Sequence, residues 1–256
     1  MTQHELQLRM TLPQFPLSAK YDPAWVLENQ MGPCALWLCE FLMEKMHLEP
    51  GMRVLDMGCG KGLTSVFLAR EYGVTVFAND LWIPAGENHK RFCAAGLGDK
   101  IVPIHAEARQ LPYADGFFDA IISIDSYEYY GTDALYLDYI SDFLKPGGQI
   151  GIVAPGLTRE FGDDGPPAHL LPHWDWSMSS FHSPGWWRRL WQLSRDIQVE
   201  VSDLLPNAVD LWQHWDEILI AAGIMQAEPD GGLLAADKDS LLTFTRVVGR
   251  KGEARW

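Results

Sequence analysis

Three glycines in five positions, Gly58-Cys59-Gly60-Lys61-Gly62, follow the apolar run Arg53-Val54-Leu55-Asp56 and precede a helical pattern from Leu63 to Tyr72. Glycine lets a backbone turn tightly and lie against a ligand with no Cβ in the way. The start of the next helix presents unpaired N–H groups to whatever fills the loop. Twenty-two residues past Gly58, the run Val74-Thr75-Val76-Phe77-Ala78 ends in Asn79-Asp80. An acid at the tip of a second strand accepts hydrogen bonds from two ribose hydroxyls, so a nucleoside and a dinucleotide both suit these features. The glycine spacing separates them. A dinucleotide fingerprint reads Gly-x-Gly-x-x-Gly, whereas this loop reads Gly58-x-Gly60-x-Gly62, with Asp56 two residues ahead.

On these residues the chain resembles the S-adenosylmethionine-dependent methyltransferases of the Rossmann-like type. Asp56-Met57-Gly58-Cys59-Gly60-Lys61-Gly62 is similar to their first motif, and Asp80 to their ribose-binding acid. Ala106-Glu107-Ala108, ahead of Leu111-Pro112, resembles the adenine-binding turn, and Leu144-Lys145-Pro146-Gly147-Gly148 the turn before strand five. The four matches keep the family's order over roughly residues 50 to 155 and point to cofactor and fold, not to substrate. The resemblance implies S-adenosyl-L-methionine held by Asp56, Gly58, Cys59, Gly60, Asp80, Leu81, Glu107, Ala108 and Asp125. Asp56 either braces the loop or approaches the cofactor's amino group. Asp125 has the same two options. Cys59 reads as a small residue of the loop and a poor nucleophile, since its neighbours wrap the ligand.

A sulfonium carries its own leaving group, so methyl transfer is an in-line displacement in which the protein aligns the partners and excludes water. A base is needed only when the acceptor arrives protonated. The polar, aromatic patch Asp125-Ser126-Tyr127-Glu128-Tyr129-Tyr130 lies past the fourth strand, where the sulfonium methyl is expected to point. Glu128 is read there as a proton acceptor or as the partner of a cationic substrate, with Tyr127, Tyr129 or Tyr130 orienting it. Ordinary rim and packing residues are the plainer alternative. A second cluster runs from His169 through His173, Trp174, Asp175 and Trp176 to His182, and five of the eleven tryptophans fall between 174 and 191. Aromatic faces attract cations by about 0.5–2 kcal/mol per contact. Trp174 and Trp176 therefore join Tyr127 as substrate-binding candidates, while Trp186, Trp187 and Trp191 read first as helix core. Glu128, Tyr129 and His173 are the catalytic candidates. Pro172 breaks the spacing of His169, His173 and Asp175, and no cysteine lies near, so no metal is expected.

Holding these residues on one rim requires an α/β frame. Strands are expected at Arg53–Asp56, Val74–Ala78, Ile101–His105, Ala120–Ile124 and Gln149–Ala154, with helices at Leu63–Tyr72, Ala85–Ala95 and Thr132–Phe143. Near-continuous apolar strands alternating with helices mean a parallel sheet covered on both faces, its strand tips along one rim. The stretch from Pro155 to Ser183 lacks periodicity, which suits a functional loop or lid. A helix at Pro184–Leu193, a strand at Ile197–Val201, a helix at Val209–Ala222 and a strand at Leu241–Val248 follow. The resemblance implies a Rossmann-like methyltransferase fold: a seven-stranded, mostly parallel sheet whose last strand is antiparallel. One domain over 1–256 is expected, with an N-terminal arm and helices (1–50), a cofactor half (51–156), a lid or substrate segment (157–194) and C-terminal strands and helix (195–256). Residues 1 to about 22 read as an arm with little regular structure. From Ala24 to Met46 the pattern is helical, broken at Gly32-Pro33, and such segments in the family often fold over the cofactor.

The 256 residues are 47% hydrophobic, ample for a core, and carry a net charge of −14. Binding to phosphate backbones takes clustered Lys and Arg, and Trp187-Arg188-Arg189 is the densest basic group, so nucleic acid and anionic membranes are not expected partners. Four irregularly spaced cysteines (Cys34, Cys39, Cys59 and Cys93) suit a reducing compartment. No run of about eighteen apolar residues and no apolar signal core occur, so a cytoplasmic protein is expected. Trp212 and Trp215, if exposed, would suit a homodimer. The leading expectation is a methyltransferase of a small molecule. The alternatives are a catalytically idle S-adenosylmethionine-binding protein, a nicotinamide oxidoreductase disfavoured by the glycine spacing, and a cyclopropane-forming relative acting on acyl chains.

Overall fold

The computed structural model describes residues 2–225 and 231–253. Seven strands make one sheet: β1 Arg53–Met57, β2 Thr75–Asp80, β3 Ile101–His105, β4 Phe118–Ile124, β5 Leu144–Leu157, β6 Ile197–Leu204 and β7 Leu242–Lys251. Their order across the sheet is β3-β2-β1-β4-β5-β7-β6. The first five strands pair in parallel, and β7 runs antiparallel to both β5 and β6. Val54, Leu55, Ile121, Ile122, Ile150 and Ile152 are all buried, because helices cover both faces of the sheet. Strand order reverses between β1 and β4, and a crevice at such a reversal, outside the carboxyl ends of the strands, is where open α/β sheets take ligands.

Nine helices are described: α1 Gln3–Met10, α2 Pro23–Asn29, α3 Ala35–Met43, α4 Leu63–Tyr72, α5 Ala85–Ala94, α6 Tyr136–Asp142, α7 Pro184–Trp191, α8 Ala208–Ala221 and α9 Gly231–Ala236. The first corrects the expectation of an unstructured arm. Thr2 and Glu5 form a reciprocal capping box: Thr2 Oγ accepts from the Glu5 amide (3.2 Å), and the Glu5 carboxylate accepts from the Thr2 amide (2.7 Å). Leu6 and Met10 then bury one face of α1 in the core. Helix α6 starts at Tyr136 instead of Thr132, because the Asp133 carboxylate accepts from the Leu135 amide (2.9 Å) and turns the chain before the helix begins.

Trp212 and Trp215 are buried, 4% and 3% exposed, so they offer no surface for a second copy. Among the described residues no helix is long and apolar enough to cross a membrane. The segment between β5 and α7 holds only two short 3-10 turns, Leu171–His173 and Trp176–Ser180. Its two ends are clasped together. Glu160 accepts from the Ser183 amide (2.6 Å), His182 Nδ1 lies 3.1 Å from Glu160, and the His182 ring stacks on Trp186 at 3.5 Å. On the far side of the sheet Arg246 of β7, 3% exposed, donates to Asp203 of β6, to Glu44 and to the Phe41 carbonyl, and lies 3.7 Å over the Phe41 ring. One guanidinium thus ties three elements together.

Candidate functional site

A cleft opens on the rim where β1, β2 and β4 end. Its floor is the turn from β1 to α4. The amides of Gly58 and Cys59 donate to the Asn79 carbonyl (2.8 and 3.0 Å), which folds the turn back over the tip of β2. Gly58 has φ +69°, and a Cβ there would stand 1.9 Å from Ser126 Oγ. Only glycine meets both demands, and so the turn and the end of β4 share one wall.

Asp80 organises this floor. Its Oδ2 accepts from the Gly60 amide (2.8 Å), and its Oδ1 from the Trp82 and Ile83 amides (2.8 and 2.9 Å). Three backbone donors fix the carboxylate with 7% of the residue exposed, at the cleft's edge. Asn88 of α5 donates to the Gly60 carbonyl (2.9 Å) and steadies the loop from behind. Glu107 lines the next wall with Ala106 and Ala108, and its carboxylate accepts from the Arg109 amide (2.7 Å) and side chain (3.1 Å). The roof is the linker between α2 and α3. Met31 and Gly32 face the cleft, and a Cβ on Gly32 would meet Asp125 Oδ2 at 1.8 Å.

Of the residues expected from sequence, Gly58, Cys59, Gly60, Asp80, Leu81, Glu107, Ala108, Asp125 and Tyr129 line the cleft together. Asp56 does not. It is 1% exposed beneath the turn, its Oδ2 accepting from the hydroxyls of Thr64 and Ser65 (2.6 Å each), while Oδ1 has no partner among the described residues. Burial pushes its carboxyl up to about 6, against the lowering effect of the two hydroxyls. Its contacts are those of a brace. Tyr127 lies away from the cleft, 1% exposed among Tyr130, Tyr136, Trp187 and Trp191. Glu128, also 1% exposed, sits behind the lining.

Farther off, His173 lies against Gly232 of α9, Trp174 packs between Phe161 and Phe181, and Trp176 is 82% exposed. None of these three lines the cleft: His173 faces α9, Trp174 the lid's own aromatic residues and Trp176 solvent. Asn79, Trp82, Ser126 and Tyr130 line the cleft although sequence gave no reason to choose them as cofactor residues. Ser126 Oγ donates to the Tyr130 hydroxyl (3.2 Å), which also lies 3.1 Å from Ser123 Oγ. A polar run past the fourth strand was the available signal for Ser126 and Tyr130. Nothing local marks Asn79 or Trp82, whose positions depend on how β2 meets its neighbours. Among the described residues no three His, Cys, Asp or Glu side chains are grouped to hold a metal.

Sheet order and glycine turn together define a Rossmann-like, methyltransferase-type domain. Residues 54–148 match the family model described as "Methyltransferase domain". A sterol 24-C-methyltransferase of Yarrowia lipolytica is 30% identical over 129 residues, 49% of this chain and 33% of that protein. A glycine/sarcosine/dimethylglycine N-methyltransferase of Actinopolyspora halophila is 30% identical over 169 residues, 63% of this chain and 29% of that protein. The chain spans less than half the length of the first curated relatives it matches. Among solved structures, the geranyl diphosphate C-methyltransferase from Streptomyces coelicolor A3(2) is similar with a TM-score of 0.66 at 18% identity, covering 83% of this chain and 78% of that one.

Proposed function

We propose that the chain is an S-adenosylmethionine-dependent methyltransferase of a small molecule, with the cleft holding the nucleoside on one side and the acceptor on the other. One observation carries this reading: the glycine turn, Asp80 and Glu107 converge on one cleft that continues to Asp125, Ser126 and Tyr129. The residues fit the cofactor. A Cβ on Gly60 would stand 2.9 Å from Met31 Sδ, so the loop and its roof leave room only for backbone against a ligand. Asn79 Oδ1 is buried without a partner among the described residues at the same wall. In this reading Asp80 takes the ribose hydroxyls, Ala106-Glu107-Ala108 flank the adenine, and the Gly58–Gly60 turn lies under the methionine part.

When bound, S-adenosylmethionine supplies an activated methyl group. The protein's part is to align the acceptor and keep water out. Lys61 Nζ donates to the Glu28 carbonyl (2.9 Å), which ties the roof to the glycine turn. The acceptor is not set by the family, since one relative is named for methylating a sterol carbon and another for methylating an amine nitrogen. Cys34, Cys39, Cys59 and Cys93 are free thiols, in keeping with a reducing, cytoplasmic setting.

Thermal scanning with S-adenosylhomocysteine and with NADH tests the reading. The first should raise the melting temperature and the second leave it unchanged. Asp80→Ala should weaken S-adenosylhomocysteine at least tenfold by titration calorimetry, the loss of a charged hydrogen-bonding group being worth about 1.5–3 kcal/mol. Full binding by that variant removes the assignment of residue 80. Stabilisation by NADH instead would favour the oxidoreductase.

A further inference from the structure

Three hydroxyls stand in a row between β1 and the chain beyond β4. Ser123 of β4, 1% exposed, donates to the Met57 carbonyl of β1 (2.9 Å). Its Oγ also lies 3.1 Å from the Tyr130 hydroxyl, and Ser126 Oγ lies 3.2 Å from that same hydroxyl. A hydroxyl has one proton to give. The Ser123 proton is on the Met57 carbonyl, so Tyr130 must donate to Ser123. The Tyr130 proton is then spent as well, and Ser126 donates to Tyr130. Every proton in the row points inward, away from the cleft. Reversing the row would cost Met57 its bond from Ser123, and buried polar groups ordinarily keep such bonds.

Ser126 is the open end of the row. It is half-buried and lines the cleft, and no described residue donates to its Oγ. What it shows the cleft is therefore lone pairs and no proton. Tyr130 keeps its own proton, because burial pushes the phenol well above its usual range, outweighing the two serine contacts that lower it. At its inner end the row meets a backbone carbonyl, which passes no proton on. The row thus fixes a direction and carries no proton away from a reaction. Gly58 sets its place. A Cβ there would stand 1.9 Å from Ser126 Oγ, and Gly58 belongs to the turn assigned above to the methionine part of the cofactor. That part ends in a carboxylate, which only accepts hydrogen bonds, and an α-ammonium, which only donates them. Against Ser126 the carboxylate would set lone pair against lone pair, whereas the ammonium completes the row.

Building on the methyltransferase reading, we propose that Ser126 is a specificity-determining residue for the amino-acid end of the cofactor, its Oγ accepting from the α-ammonium. Tyr130 and Ser123 are positioning residues that act through Ser126 by holding its proton away from the ligand. The site then tells a nucleoside thioether that carries the amino group from one that lacks it. It does so at the opposite end of the ligand from the groups given to Asp80 and Glu107. Gly58 and Ser126 work as one device, since any side chain at 58 would displace the hydroxyl that reads the amine.

The test uses the full chain and two probes, S-adenosylhomocysteine and its desamino counterpart, in which hydrogen stands in place of the α-ammonium. Titration calorimetry on the wild type should show S-adenosylhomocysteine binding at least tenfold tighter, as the loss of a charged hydrogen bond implies. Ser126→Ala should lower that ratio at least threefold by weakening S-adenosylhomocysteine alone, with the desamino compound held to within twofold of wild type. Tyr130→Phe and Ser123→Ala free the Ser126 proton to face the ligand, and each should lower the ratio at least twofold. A merely structural role would weaken both probes alike and leave the ratio where it was. An unchanged ratio in Ser126→Ala overturns the proposal; should that variant not fold, Tyr130→Phe decides by the same ratio. A shift in Ser126→Ala with none in Tyr130→Phe or Ser123→Ala overturns the directed row. Wild-type protein that binds both probes equally overturns this inference alone. A chain that takes up no S-adenosylhomocysteine overturns the methyltransferase reading and this inference with it.

Discussion

The Asp56 carboxyl is the buried acid with the clearest consequence in solution. Its ordinary value of 3.8 rises to about 6 in the fold. As pH increases past 4, the unfolded chain therefore releases this proton while the folded chain keeps it. Stability from this group falls with rising pH between about 4 and 6 and is level above that, by about 3 kcal/mol in all. Other carboxylates oppose the trend, Asp119 among them, whose carboxyl lies low beside Lys145 and the Arg53 amide despite some burial. The comparison is therefore between wild type and Asp56→Asn by urea unfolding. The wild-type-minus-variant stability should decline from pH 4 to 6 and then stay flat; a difference independent of pH would refute the account. The acid was legible in sequence as part of the glycine motif, but its role was not. Whether it braces or touches a ligand depends on Thr64 and Ser65, in the first turn of α4, folding back over it.

At the scale of elements, the β1–α4 turn and the roof above it meet through single atoms. Gly32→Ala would drive a methyl into Asp125 Oδ2 and push the α2–α3 linker off the cleft. That variant should lose about tenfold in S-adenosylhomocysteine affinity with little change in melting temperature, because the linker is surface structure; unchanged affinity would show that the roof does not bear on the ligand. Strands β1, β4 and β5 could be read from their apolar runs because each is largely buried on both faces, whereas the edge strand β3 buries only Ile101. The Gly32-Pro33 break likewise marked where the roof turns. The capping box of α1 was missed because Thr2 and Glu5 are unremarkable until the chain between them coils. The lid was equally opaque. Its fold rests on Glu160, Ser183 and His182, partners more than twenty residues apart that no periodicity links.

Across the whole molecule, the cleft lies at the ends of β1, β2 and β4, while Arg246 ties β7 to β6 and α3 on the other half of the sheet. Arg246→Ala should cost about 3 kcal/mol, since it removes a buried cation bonded to two carboxylates and a carbonyl. In a chain of this size that is roughly 6–12 °C of melting temperature, measurable by calorimetry, and a shift under 2 °C would mean the cluster contributes little. The fold and the glycine-turn side of the cleft were legible because their residues lie in one continuous stretch, whereas Met31 and Gly32 reach the cleft from a linker outside it. Strand β6 has β7 as its sole neighbour among the described strands, and β7 is the later of the two in sequence. During synthesis β6 must therefore wait with bare amides on both edges, as must the outer edge of β5. A nascent protein paused in the linker before Leu242 would expose the sticky borders of two strands at once, and there a chaperone has the most to shield.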